Sequence, residues 1–357
     1  MTPRLPATMQ VFERGWLSSN NILFTGPETA LVDSGYVTHA PQTLALLERA
    51  LDGRRLDRLL NTHLHSDHCG GNAALQAAHG CRTAIPVLEA AKVAAWDEDL
   101  LSYRATGQQC PRFGFDAVLA PGDELELGKL RWQVLGAPGH DPHALLLFCP
   151  GEGILISGDA LWENGFGVIF PELAGEPGFD EARATLDLIG TLDARLVVPG
   201  HGRMFMDVTE ALSRAYARLD YLAGDPRRNA ENAVRVLVKF LLLERQRIVL
   251  ADLPNVLASI PVVAAALRVI GRVGGEPAHP TDQRGHIDDG HHTDIRRVGG
   301  SPAHAFNERS HTTAAFDAHP HTDTPTDEAY DALATWAANA LVRAKAARVA
   351  GEFLLDA

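Results

Sequence analysis

The chain has 357 residues, 46% of them hydrophobic, and its 32 Lys and Arg against 45 Asp and Glu give a formal charge of −13. That composition can bury one sizeable core and a smaller second one, excludes wholesale disorder, and supplies no global basic field for phosphate backbones. The longest apolar run, Ile260 to Leu267, is far shorter than the roughly 18 residues of a spanning helix, and Met1 to Trp16 mixes Arg, Pro, Gln and Glu where a signal peptide places an apolar block. Cys69, Cys81, Cys110 and Cys149 include no C-x-x-C pair, which fits a reducing compartment, so a soluble cytoplasmic protein with no membrane partner is expected.

Up to about residue 224 short β-like runs alternate with helical stretches, and Gly or Pro punctuates most junctions, an α/β pattern. Asn21 to Thr25 and Thr29 to Val32 read as strands across a Gly-Pro turn, Thr43 to Leu51 as a helix, and Leu56 to Asn61 as a strand. Leu75 to Ala78 continues a helix after Gly70-Gly71. Further strands are expected at Leu130 to Leu135, Ala144 to Cys149, Ile154 to Ile156 and Leu196 to Val198, with a helix over Glu181 to Ile189.

From Pro226 the pattern turns helical, with Val234, Leu237, Val238, Leu241 and Leu242 spaced along one face. Residues 225–273 and 328–357 are expected to form a second, mostly helical unit, with Ala332 to Val342 helical and a terminal hairpin over Ala347 to Leu355. Between them, residues 274–327 carry eight of the 16 histidines in a polar stretch. The octet Arg272 to His279 returns there, with one change, as Arg297 to His304. Two polar copies cannot build a solenoid, so a duplicated disordered insertion is expected, whose histidines have no rigid scaffold for a catalytic metal.

The chemistry concentrates in Thr62-His63-Leu64-His65-Ser66-Asp67-His68-Cys69-Gly70-Gly71. Four potential ligands in six residues, directly after an apolar strand, cannot all converge from regular structure and call for a loop around metal. His63 and His65 can reach one ion from an extended segment, and Asp67 and His68, past the bend, face a second position. Gly70 and Gly71 are expected to let the chain turn tightly into the next helix. Three later turns each add a ligand: His140 in Ala137-Pro138-Gly139-His140, Asp159 in Ser157-Gly158-Asp159, and His201 in Val198-Pro199-Gly200-His201-Gly202. Five histidines and two aspartates are enough for two ions with one shared carboxylate.

The ordered set H-x-H-x-D-H, then His, Asp and His, resembles the metallo-β-lactamase fold hydrolases over residues from about 10 to 222. The resemblance implies an αββα sandwich, two mixed sheets face to face with helices outside, with a smaller winged-helix-like C-terminal domain. By it, His63, His65 and His140 hold the first ion, Asp67, His68 and His201 the second, and Asp159 bridges. Asp159 stands where the best-known β-lactamases carry Cys, so the pattern looks like glyoxalase II and its relatives. A metal-bridging hydroxide is then the nucleophile, with Asp67 placed to orient it. The nitrogen and oxygen donors suit two divalent ions, Zn first, with Fe or Mn also accommodated.

Asp33, in Val32-Asp33-Ser34-Gly35, resembles the family's early aspartate that orients ligand histidines. His143 reads as a donor behind the ligands, a substrate contact or a surface turn residue. Trp162, Phe166 and Phe170 either wall a substrate pocket or pack a loop, and His39 and His79 are given to the surface. The leading function is hydrolysis of a small-molecule ester or thioester. A metal-dependent endoribonuclease is the alternative, with RNA held by a basic face of Arg235, Lys239, Arg245, Arg247, Arg343, Lys345 and Arg348. A mononuclear iron sulfur dioxygenase is a third, which would leave the second ligand set unused.

Overall fold

The computed structural model describes residues 4–272 and 324–357. The first sheet has strand order β1 (Met9–Phe12), β2 (Asn21–Thr25), β3 (Thr29–Val32), β4 (Arg58–Leu60), β5 (Arg82–Pro86) and β6 (Ala117–Leu119). Its first three strands pair antiparallel and the rest parallel. The parallel crossovers carry α1 (Ala40–Leu51), α2 (Ser66–Cys69), α3 (Asn72–His79), α4 (Ala90–Ala95) and α5 (Tyr103–Thr106).

The second sheet holds β7 (Glu124–Leu127), β8 (Leu130–Gly136), β9 (Leu145–Cys149), β10 (Ile154–Gly158) and β11 (Leu196–Pro199), antiparallel except for β10 with β11. Between these last two strands run α6 (Pro171–Ala174) and α7 (Phe179–Thr191), and α8 (Val208–Ala223) follows.

Strand alternation explains the layers. Ile22, Phe24, Val32 and Leu60 of the first sheet meet Trp132, Val134, Leu147, Ile156 and Val198 of the second in one core. The intervening residues face outward: Leu23, Leu31 and Leu59 pack against Leu47 and Leu51 of α1 and Leu75 of α3. On the other side Leu146, Phe148, Leu155 and Val197 meet Leu186 and Ile189 of α7 and Ala211 to Leu222 of α8. This is the expected αββα sandwich.

The C-terminal part contains α9 (Pro226–Arg245), β12 (Arg247–Val249), α10 (Leu253–Ala258), α11 (Pro261–Arg272), α12 (Asp327–Arg343), β13 (Ala347–Ala350) and β14 (Phe353–Asp356). Asp225 caps α9 through Arg227 N, and Pro226 opens it. The apolar face read from the sequence is buried in a core that also takes Val168 and Leu173 from the sandwich. The terminal hairpin is joined by β12, in the order β12-β14-β13. Tyr36 ties the parts together, its hydroxyl donating to Glu244 Oε1 at 2.7 Å while its ring packs on Phe240.

The insertion expected over 274–327 lies outside the described residues except for 324–327, and Thr326 caps α12 there. The basic face divides. Lys239 is taken up by Asp356 and Ala346 O, Arg235 donates to Asn232, and Arg247 lies 5.3 Å from the Phe353 ring. Arg343, Lys345 and Arg348 remain exposed. No helix among the described residues is long and apolar enough to cross a membrane. All four cysteines are free and buried.

Candidate metal centre

Every sequence-predicted ligand leaves the C-terminal end of a strand on the same rim of the sandwich. The loop after β4 carries His63 and His65, and the short helix α2 that follows carries Asp67 and His68, so the expectation of a loop for all four is corrected for these two; β8 leads to His140, β10 to Asp159 and β11 to His201. Ligand atoms of His63, His65 and His140 lie within 4.8 Å of one another, as do those of Asp67, His68 and His201, and those of His63, His68 and Asp159. The Asp159 carboxylate spans the groups: Oδ1 is 3.3 Å from His68 Nε2, and Oδ2 is 3.4 Å from His140 Nε2 and 3.8 Å from His201 Nε2.

The surroundings fix which ring nitrogen each histidine offers. His68 Nδ1 donates to Asp33 Oδ2 at 2.8 Å, leaving Nε2 buried with no hydrogen-bond partner. His140 Nδ1 donates to Val168 O at 2.5 Å, turning Nε2 toward His65 Nδ1 at 2.8 Å. His63 Nε2 is likewise buried and unpartnered. Orphaned buried nitrogens aimed at a shared carboxylate are what a cation would satisfy, so the residues fit divalent metal.

Electrostatics supports the same arrangement. Burial, together with the neighbouring histidines, holds His63 well below the ordinary imidazole range and His140 at about 4, so both rings are neutral donors. For Asp159 burial pushes upward, but the His68 and His201 rings outweigh it and keep the carboxyl ionised well below its usual range. His68 is opposed by burial yet raised by Asp159 and Asp33.

Glycines matter here by close approach. A Cβ on Gly200 would lie 2.2 Å from Asp159 Oδ1 and 2.8 Å from His68 Cε1. Gly70 and Gly71 form the expected turn from α2 into α3, but with ordinary right-handed φ, −60° and −83°, so it is not backbone freedom that calls for glycine. They are small because Ser66 O, Val37 N and Ser34 O would stand 2.5 to 2.6 Å from an added Cβ.

Other expectations divide. Asp33 accepts from Thr62 N and Thr62 Oγ1 as well as His68. His143 is not a surface residue: it is 8% exposed and bonded to Glu89, and Asp141 stands between it and His65, 3.7 Å from His65 Nε2. Trp162 donates to Asp159 Oδ1 at 3.3 Å and meets His201 edge-on. Phe170 lies 6.0 Å from His65, whereas Phe166 is buried among Leu186 and Ile189. His39 and His79 are half-buried at the surface, contacting Ser18 Oγ and Leu56 N. The sequence reading missed Trp16, which is 53% exposed and stacks on His201 at 5.4 Å.

The profile of the Metallo-beta-lactamase superfamily matches residues 14–201, more than half of the chain. The chain belongs to that superfamily. This superfamily member is a metal-dependent hydrolase, and it is similar to curated hydroxyacylglutathione hydrolases. That of Rhodobacter capsulatus is 30% identical over 223 residues, covering 58% of this chain and 77% of its own length. That of Anaeromyxobacter dehalogenans is 34% identical over 195 residues, or 54% and 65%, and that of Methylococcus capsulatus 33% over 123 residues, or 34% and 41%. The chain thus spans less than two thirds of the length of the latter two relatives. Among solved structures, a metallo-β-lactamase with the HARLDQ motif from Cronobacter sakazakii aligns with TM-score 0.50 at 19% identity, covering 61% of this chain and 95% of that one. A beta-lactamase domain protein from Burkholderia ambifaria aligns with TM-score 0.50 at 21%, covering 66% and 83%. These two structures speak to the fold alone.

Proposed function

We propose that the protein hydrolyses a small thioester or ester, with hydroxyacylglutathione-type thioesters the leading class, at a centre of two divalent ions. The observation that carries this reading is one buried carboxylate, Asp159, reaching histidines of both ligand groups. His63, His65 and His140 would hold one ion, and Asp67, His68 and His201 the other. When bound, such a pair supplies an acidified water and a Lewis-acidic contact for the acyl oxygen.

The chain's own residues do the rest. Asp67, hydrogen-bonded to His201 Nε2 at 3.0 Å, is held ionised by that contact against the upward push of burial, and it is placed to accept a proton-bearing group at the centre. Trp16 and Trp162, 5.2 Å apart, form an apolar wall beside His201 that suits an acyl or thiol arm. The relatives' shared name supports the thioester class. The endoribonuclease reading rests on the exposed Arg343, Lys345 and Arg348, and the iron dioxygenase reading leaves Asp67, His68 and His201 without a task.

The deciding experiment assays metal-loaded protein on a glutathione thioester, a lactone, a phosphodiester and single-stranded RNA. Thioester turnover that disappears on chelation and returns with metal is expected. Turnover of RNA alone would overturn the proposal.

A further inference from the structure

Two guanidinium groups converge on one amide oxygen where α8 meets α9. Asn232 Oδ1 accepts from Arg218 Nη2 at 3.1 Å and from Arg235 Nη2 at 3.2 Å. Among the described residues, neither arginine takes part in an ion pair. The junction is rich in donors that lack acceptors: Arg218 Nε and Asn232 Nδ2 are sealed from solvent without a hydrogen-bond partner, and Asn232 is 4% exposed.

The geometry around Arg218 is built to hold it there. Its guanidinium lies 5.7 Å from the Phe166 ring centre. Its stem crosses Gly165 so closely that a Cβ there would sit 2.7 Å from Arg218 Cδ, and Gly165 has φ +116°. Burial, then the charge of Arg235, pull the Arg218 pKa down. Two like charges brought together, one of them largely out of water, are costly unless an anion compensates them. A planar fork of N–H donors beside a free amide N–H is complementary to a planar or tetrahedral oxyanion.

We infer that Arg218, Arg235 and Asn232 form a binding site for an oxyanion, a carboxylate or phosphate group, distinct from the metal ligands. The site adjoins the catalytic loop, because Phe166 also lines a small internal cavity with His140 and Asp159. The anion is either the charged tail of the substrate or a free ion, and both present the same chemistry to the arginines.

Calorimetric titration of the metal-loaded protein with inorganic phosphate tests the site without using turnover. Saturable binding is expected, weakened at least tenfold by Arg218→Gln and by Arg235→Gln, with metal content unchanged in both. Arg235 is exposed, so its variant keeps the test open should Arg218→Gln fail to fold. Phosphate binding that is the same in wild type and Arg235→Gln overturns the inference.

A second arm identifies the source, with two thioesters of one acyl group whose thiols end in a carboxylate or a neutral amide. A tenfold rise in KM for the carboxylated substrate alone in Arg235→Gln, with kcat unchanged, assigns the anion to the substrate. Weakened phosphate binding with both KM values unchanged assigns it to a free ion. Absence of any thioester turnover would sink the proposed function, while the phosphate titration would still decide this site.

Discussion

Asp33 and His68 lie 35 residues apart and are joined by a 2.8 Å hydrogen bond, from His68 Nδ1 to Asp33 Oδ2, in the interior of the sandwich. Asp33 sits at φ 60°, a left-handed conformation that aspartate tolerates better than most side chains, at the end of β3. From there its two oxygens also take the Thr62 N–H and hydroxyl. One carboxylate thus sets both the rotation of a proposed ligand ring and the course of the backbone that delivers His63.

Removing that carboxylate should loosen metal rather than unfold the chain. Asp33→Asn keeps the side-chain volume and the left-handed backbone, but one amide oxygen replaces two acceptors. Affinity for one of two ions is expected to fall about 10- to 100-fold, the usual scale for a partner behind a ligand histidine. Competition with a chromophoric chelator measures it. Two unchanged dissociation constants would remove Asp33 from the metal centre.

The metal count follows from the seven ligands, which exceed what one tetrahedral ion uses. Close to two ions per chain are expected after reconstitution with excess Zn²⁺ or Mn²⁺. Asp159→Ala should cost more activity than any single histidine change, since Asp159 reaches His68, His140 and His201 together. A count that stays at one, or near wild-type turnover in Asp159→Ala, contradicts the shared-carboxylate arrangement.

The ligand positions are legible in the sequence because four of them crowd into six residues soon after an apolar strand, and the other three, His140, Asp159 and His201, each stand next to a glycine. Other elements carry weaker marks. β7 reads Glu-Leu-Glu-Leu and has one buried residue, and β5 ends in proline. α8 buries Ala211 and Ala215 beside Leu219 and Leu222, too small a stripe to stand out. Trp16 acquires meaning only against His201, which follows it by 185 positions, and the His143 turn looks exposed until Glu89 and Lys92 close over it. Contacts of that range leave no local period to read.

Protonation gives a signed test on chelator-stripped protein. His140 sits at about 4, below the ordinary 6.5, through burial and His65. As pH falls from 6.5 toward 4 the unfolded chain binds a proton that the folded chain refuses, so stability drops, by about 3 kcal/mol for this group. His63 shifts the same way. His68 is raised, so its contribution is intact below 6.5 and is lost only as pH rises through its folded value. The Tm should therefore fall between pH 6.5 and 4, less steeply in His140→Gln. An identical slope in that variant would show that His140 does not drive it.

Deleting Gly274 to Thr326 and joining the ends with a flexible linker that ends in Thr, so that the α12 cap is kept, should leave folding and metal content intact. Among the described residues, the C-terminal core is built by Ala230 to Ile270 and Tyr330 to Leu354, and the stretch itself holds few apolar residues that could add to a core. Loss of soluble expression or of bound metal on deletion would show that the stretch supports the fold.

The division of labour between the two parts separates the hydrolase readings. If the substrate is a small thioester, the binding energy comes from the rim beside Trp16 and Trp162. Charge reversal of Arg343, Lys345 and Arg348 should then barely change kcat/KM, and added salt should matter little. If the substrate is RNA, each lost phosphate contact should flatten log affinity against log salt by roughly 0.7 for a single strand. The first outcome is expected: a net charge of −13 opposes long-range attraction of a polyanion, and Lys239 and Arg247 are already engaged within the fold. A steep salt dependence that vanishes in the triple variant while both metals remain bound would instead make the C-terminal sheet an RNA-holding surface.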